Sequence, residues 1–158
     1  MSENYIAVLK QSLKKKIELL DTIAALNVLQ KQMLENPELE PQELEGNIER
    51  KAELVEQLNA LDDGFEQVYG RVKEELNTNR QQYAQDIREM KADIAHIMDR
   101  SATIQSQEQR NKALAEKKFS AVRKQIKEVK QSRKAVNTYY KNMMKMNFPD
   151  PEFLDNKK

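Results

Sequence analysis

Apolar residues recur along this chain in steps of three and four. Ile6, Leu9, Leu13, Ile17, Leu20 and Ala24 follow 3-4-4-3-4 steps, and Ile23, Leu26 and Leu29 widen the stripe. This is the spacing of one helical face, and no stretch alternates with the period of two that a half-buried strand requires. The stripe stops at Asn36-Pro37-Glu38-Leu39-Glu40-Pro41. Each proline removes a backbone donor and biases the residue before it away from the helical region. Pro41 itself suits the first turn of a second helix.

That second helix reads Leu44, Ile48, Val55, Leu58, Leu61, Phe65, Val68, Tyr69, Val72, Leu76, a face broad enough to touch two neighbours. Gly64 and Gly70 lie within it, and the expectation is a close approach or a mild bend there. Asn77-Thr78-Asn79-Arg80-Gln81 is the next turn candidate, with Thr78 and Gln81 spaced as a capping box. The 78 residues from Arg71 to Phe148, which include this candidate, contain neither Gly nor Pro, and beyond it that permits a long helix. One heptad seam runs Tyr83, Ile87, Met90, Ile94, Ile97, Ser101, Ile104. A second runs Ala115, Phe119, Val122, Ile126, Val129, Arg133, Val136, Tyr140, Met143. The eleven residues from Ile104 to Ala115 join the two registers as a stutter, an insertion of four. The polar stretch Gln105–Lys112 occupies that junction as a turn, a kink or an underwound part of one helix.

The fold class is therefore all-α: an antiparallel three-helix bundle or coiled coil with a long C-terminal helix, kinked or continuous near 105–112. One domain spans 1–158, with helices at about 3–35, 41–76 and 79–144 and a tail at 145–158. A helix half as long again as its neighbours cannot bury its whole stripe within the monomer. The excess needs a partner, another copy or a different protein.

Composition narrows the chemistry. With no Cys and one His, the 158 residues offer no disulfide, thiolate site or imidazole pair, and neither a metal nor a cofactor is expected. His96 reads as a surface or half-buried imidazole. Glu-rich helices build di-iron sites only with two Glu-x-x-His pairs, which one histidine cannot supply. The neighbouring carboxylates Asp62-Asp63 and Glu74-Glu75 read as solvent-facing. No Gly-rich phosphate loop or Gly-x-Ser-x-Gly elbow is present, so no catalytic residue is assigned. No apolar run is long enough to span a bilayer, and Met1–Lys10 lacks a signal-peptide layout, so a cytoplasmic protein without membrane insertion is expected.

The net charge of +1 conceals a division. Residues 1–76 carry 9 basic against 16 acidic residues, and residues 77–158 carry 18 against 10. Lys112–Lys145 holds 11 basic residues opposed by only Glu116 and Glu128, while 41–76 holds 10 acidic and 4 basic. The basic run has three readings: a solvated face beside the acidic second helix, attraction to an acidic protein, or contact with nucleic acid or an anionic membrane. The acidic half argues against nucleic acid, and the narrow, Trp-free stripe argues against membrane. The segment from Tyr139 and Tyr140 through Met143, Met144, Met146 and Phe148 is rich in adaptable and aromatic side chains. It either caps the core or forms a docking surface.

With these features laid out, the sequence resembles the FlgN family of flagellar export chaperones. The matching stretches are Lys51-Ala-Glu-Leu-Val-Glu-Gln-Leu58 with Leu61-Asp62, and Gln109-Arg110-Asn111-Lys112-Ala113-Leu114. A basic amphipathic run, Ala115–Val136, then leads to Tyr139 and Tyr140. The resemblance implies a non-catalytic cytoplasmic chaperone. Such a protein binds the C-terminal helices of flagellar hook-associated proteins, which form the hook–filament junction, and delivers them to the type III export apparatus. By the family pattern the partner-binding residues are Leu114, Val122, Ile126, Val129, Tyr139 and Tyr140. A homodimer is a further expectation. The alternatives are a self-associating structural coiled coil and a FliT-like chaperone of the filament cap.

Overall fold

The computed structural model describes residues 2–121 together with 134 and 138. Among the described residues the protein is all-α, with three helices in up-down-up order: α1 (Ser2–Glu35), α2 (Pro41–Thr78) and α3 (Ala84–Ala121). Pro41 is the first residue of α2, where its missing N–H costs nothing, and Glu40 precedes it in extended conformation. In the first loop Asn36 Oδ1 accepts from the Glu38 amide at 3.0 Å, a local turn that replaces the helical bonds the prolines forbid.

The second connection falls later than the sequence suggests. Thr78 is the last residue of α2 rather than a cap of α3, and residues 79–83 form the turn. Tyr83 is buried and its hydroxyl donates to the Glu75 carboxylate across this turn, anchoring its far end to the helix it has just left. A Thr–Gln pair that begins five positions earlier cannot compete with burying an aromatic ring.

α1 is the common neighbour, packed along both α2 and α3. Its hydrogen bonds to α3 join residues separated by 76 to 84 in sequence, from Lys10–Asp86 to Asn27–Asn111, so these two helices run parallel and in step. Lysines of α1 meet acids of α3: Lys10 with Asp86 and Glu89, and Lys14 with Asp93. These acids of α3 thus find their cations on α1, while most of the basic run Lys112–Lys145 lies outside the described residues.

The buried seams are more regular than the apolar residues alone reveal. Ile6, Leu9, Leu13, Lys16, Leu20, Ile23, Asn27, Gln30 and Leu34 form an unbroken alternation of three and four on α1. On α2 the line is Leu44, Ile48, Lys51, Val55, Leu58, Asp62, Phe65, Tyr69, Val72, Leu76. On α3 it is Tyr83, Ile87, Met90, Ile94, Ile97, Ser101, Ile104, Glu108, Asn111, Ala115. Three expectations change accordingly. The stretch 105–112 is uninterrupted helix, and Glu108 and Asn111 carry the seam through it; the register shifts only after Ala115, where Lys118 and Phe119 are both half-buried. Leu29 is 43% exposed, because Asn27 and Gln30 take the inward positions on either side of it. Gly46, Gly64 and Gly70 mark no close approach, since an added Cβ would meet nothing within 4 Å.

Candidate functional site

The three seams place polar residues at matching levels. Near the middle of the bundle Lys16, only 2% exposed along its side chain, reaches Asp62 at 2.6 Å. Burial pushes the Lys16 amine below its ordinary value and the Asp62 carboxyl above its own, while their mutual hydrogen bond opposes both shifts. Asp62 therefore faces inward, contrary to the solvent reading of the Asp62-Asp63 pair, and only Asp63 is exposed. Glu75 is likewise drawn in by Tyr83, leaving Glu74 outside.

A larger layer lies toward the α1–α2 loop. Lys51 of α2 is fully buried at 0% exposure and donates to Asn27 Oδ1 (2.6 Å) and Gln30 Oε1 (3.2 Å) of α1 and to Glu108 Oε1 (3.1 Å) of α3. Asn111 Nδ2 donates to the Asn27 carbonyl and to Gln30 Oε1, both at 2.9 Å. Gln107 completes the ring, accepting from Asn27 Nδ2 at 3.1 Å and donating to the Ala24 carbonyl at 3.2 Å. Burial, partly offset by Glu108, holds the Lys51 pKa down at about 8. A cation this enclosed is tolerated only because acceptors converge on it from both other helices.

Lys51 and Asn111 both belong to the stretches that carry the family resemblance, one leading an amphipathic run and the other closing Gln109-Arg110-Asn111. Their meeting around Gln30 was not visible there. The available signal was spacing: Ile48 and Val55 leave a three-four gap that only Lys51 fills, and Ile104 and Ala115 leave one that Glu108 and Asn111 fill.

The layer also sits close to the end of α1. Lys118 Nζ donates to the Asn36 carbonyl at 2.7 Å, one residue past the end of α1. Of the six expected partner-binding residues, Leu114 is half-buried on α3, packed at the margin of the core together with Phe119 and Leu39. Val122, Ile126, Val129, Tyr139 and Tyr140 lie outside the described residues, as does the Met- and Pro-containing tail. His96 is exposed. No helix of the described residues is long and apolar enough to cross a membrane.

The family model described as FlgN protein matches residues 1–145 of the chain. No curated protein and no solved structure matches it.

Proposed function

The chain belongs to the FlgN family of flagellar export chaperones, and on that premise we propose that its cargo is the amphipathic C-terminal helix of a hook-associated protein. In this reading the chaperone holds the helix in the cytoplasm, prevents premature polymerisation, and delivers it to the type III export apparatus. It does so by binding alone, with no cofactor and no catalysis.

The observation that carries the reading is that the apolar periodicity of the sequence runs on past the level at which α1 ends. α1 stops at Glu35, level with Lys118, while the apolar periodicity continues in the sequence through Val122, Ile126, Val129 and Val136 to Tyr140. An apolar face repeated at three- and four-residue spacing is the complement a helix-in-groove ligand needs for its anchors. We assign Leu114, Val122, Ile126, Val129, Tyr139 and Tyr140 as its contacts. A cargo segment that orders only on binding gives up part of its interaction energy in doing so, which suits a cargo that must be released.

Calorimetric titration of the full chain with C-terminal segments of the host's hook-associated proteins tests the assignment, with the filament-cap protein as comparison. Saturable binding to a hook-associated segment is expected. Binding to the cap protein alone would assign the chain to FliT-like service, and no binding to either would leave self-association as the role of the seam.

A further inference from the structure

We infer that the polar layer around Lys51 is a register lock, a positioning device that fixes the axial and rotational setting of α3 against α1 and α2. It thereby sets the direction of Leu114 and Phe119, the half-buried residues that follow the layer on α3. The aiming deepens the chaperone reading and rests on it; the lock itself stands on the geometry.

The apolar parts of the seams discriminate poorly between registers. α3 presents Ile87, Met90, Ile94, Ile97 and Ile104 at heptad spacing, so a slip of seven residues, about 10 Å along the axis, sets one aliphatic side chain where another had been. The polar layer does not tolerate that slip. Moving α3 one way places Ser101 and Ile104 at the levels of Glu108 and Asn111, and Lys51 loses its carboxylate. Moving it the other way places Ala115 and Lys118 there, setting a second cation against the first. Only the observed register gives the Lys51 amine Glu108 at 3.1 Å and Gln30 Oε1 its Asn111 donor at 2.9 Å. All three helices contribute, so the layer also closes the link between α2 and α3, whose main packing partner is α1 in each case. A buried polar residue that specifies register at some cost in stability is the best-attested role for such a group in a coiled coil.

Position converts register into aim. Leu114 follows Asn111 by three residues on the same continuous helix, so its direction is inherited from the layer at 100° per residue. A slipped or rotated α3 would present a different face at Leu114 and Phe119.

The chain contains no native cysteine, so Gln32→Cys and Ala113→Cys, both exposed and on adjacent levels of α1 and α3, allow paired spin labels in the full-length protein. Electron–electron double resonance should give one narrow distance in this background. Adding Lys51→Met with Glu108→Leu, which removes both charges and leaves neither unpaired, should keep the helical content but split the distribution, with a second population displaced by about one heptad. A single unchanged distance in that variant would overturn the lock. If the apolar pair does not fold, Lys51→Glu with Glu108→Lys decides. Return to the parental distance in the exchanged pair, with scatter in either single exchange, supports it; scatter in neither single exchange refutes it. Cargo affinity measured on the same samples should fall at least tenfold in the apolar pair. Because the distances involve no cargo, the chaperone reading can fail in the parental protein without touching the register result.

Discussion

Lys51 and Glu108 lie 57 residues apart in sequence and meet at 3.1 Å in the closed interior of the bundle. Each is the other's only opposite charge in the layer described above, which makes the pair sensitive to how it is broken. Glu108→Ala removes the carboxylate that faces a buried ammonium at 3.1 Å and should lower unfolding free energy by about 3–5 kcal/mol. Replacing both residues by apolar ones of similar volume should be neutral or stabilising, and urea titrations of the single and double variants measure the contrast.

The pH dependence of that contrast has a definite sign. The folded protein holds Lys51 at about 8, whereas the unfolded chain holds it near 10.5. Between those values the unfolded state keeps a proton the folded state has released, so the Lys51 contribution to stability rises with pH across that window, by about 3 kcal/mol at most. Lys10, hydrogen-bonded to Asp86 and Glu89, and Tyr83, hydrogen-bonded to Glu75, are both pushed up to about 12. Their contributions are complete below about pH 10 and are lost as the pH climbs toward 12. Wild-type stability relative to Lys51→Met/Glu108→Leu should therefore increase from pH 7 to pH 10, since the comparison cancels Lys10 and Tyr83.

Asp62 and Asp63 are adjacent yet unequal. Asp62 faces buried Lys16 at 2.6 Å and Asp63 faces water. Asp62→Ala should cost about 3–5 kcal/mol, and Asp63→Ala should change stability by less than about 0.5 kcal/mol. Equal effects in denaturant titrations would contradict the inward placement.

The glycines of α2 are open to improvement. Gly46, Gly64 and Gly70 have no positive φ, and a methyl group at each meets nothing within 4 Å. Alanine at each should stabilise the protein by about 0.5–1 kcal/mol, read as a higher thermal midpoint, because the unfolded chain loses freedom the helix never used.

For cargo binding, Ala at Val122, Ile126 and Val129 together should reduce affinity for a hook-associated C-terminal segment at least tenfold while far-ultraviolet circular dichroism stays unchanged. Leu114→Ala, which trims a half-buried side chain, should cost both some affinity and some stability. Unaltered titration curves in the triple variant would remove these residues from the binding surface.

The arrangement of helices was legible because helical periodicity and proline punctuation are local properties. Ile6, Leu9, Leu13 and Leu20 announce an inward face by their mutual spacing, and Asn36-Pro37 with Pro41 ends one helix and begins the next, whatever the rest of the chain does. The turn at 79–83 was placed too early, since what fixes it is Tyr83 finding the core and Glu75. The candidate site was half legible: Lys51 and Asn111 stood in the stretches that carry the family resemblance, but a polar residue does not announce which way it faces.

Sequence by itself thus determined that the chain is helical, how many helices open it, where the prolines divide them, and which aliphatic residues line each face. Tertiary structure alone decided that Lys16, Asn27, Gln30, Lys51, Glu108 and Asn111 point inward on those same faces. The reason is physical. An aliphatic side chain is driven from water wherever it stands, so its spacing suffices. A buried lysine is stable only when acceptors from other helices surround it, and for Lys51 these are 21, 24 and 57 residues away.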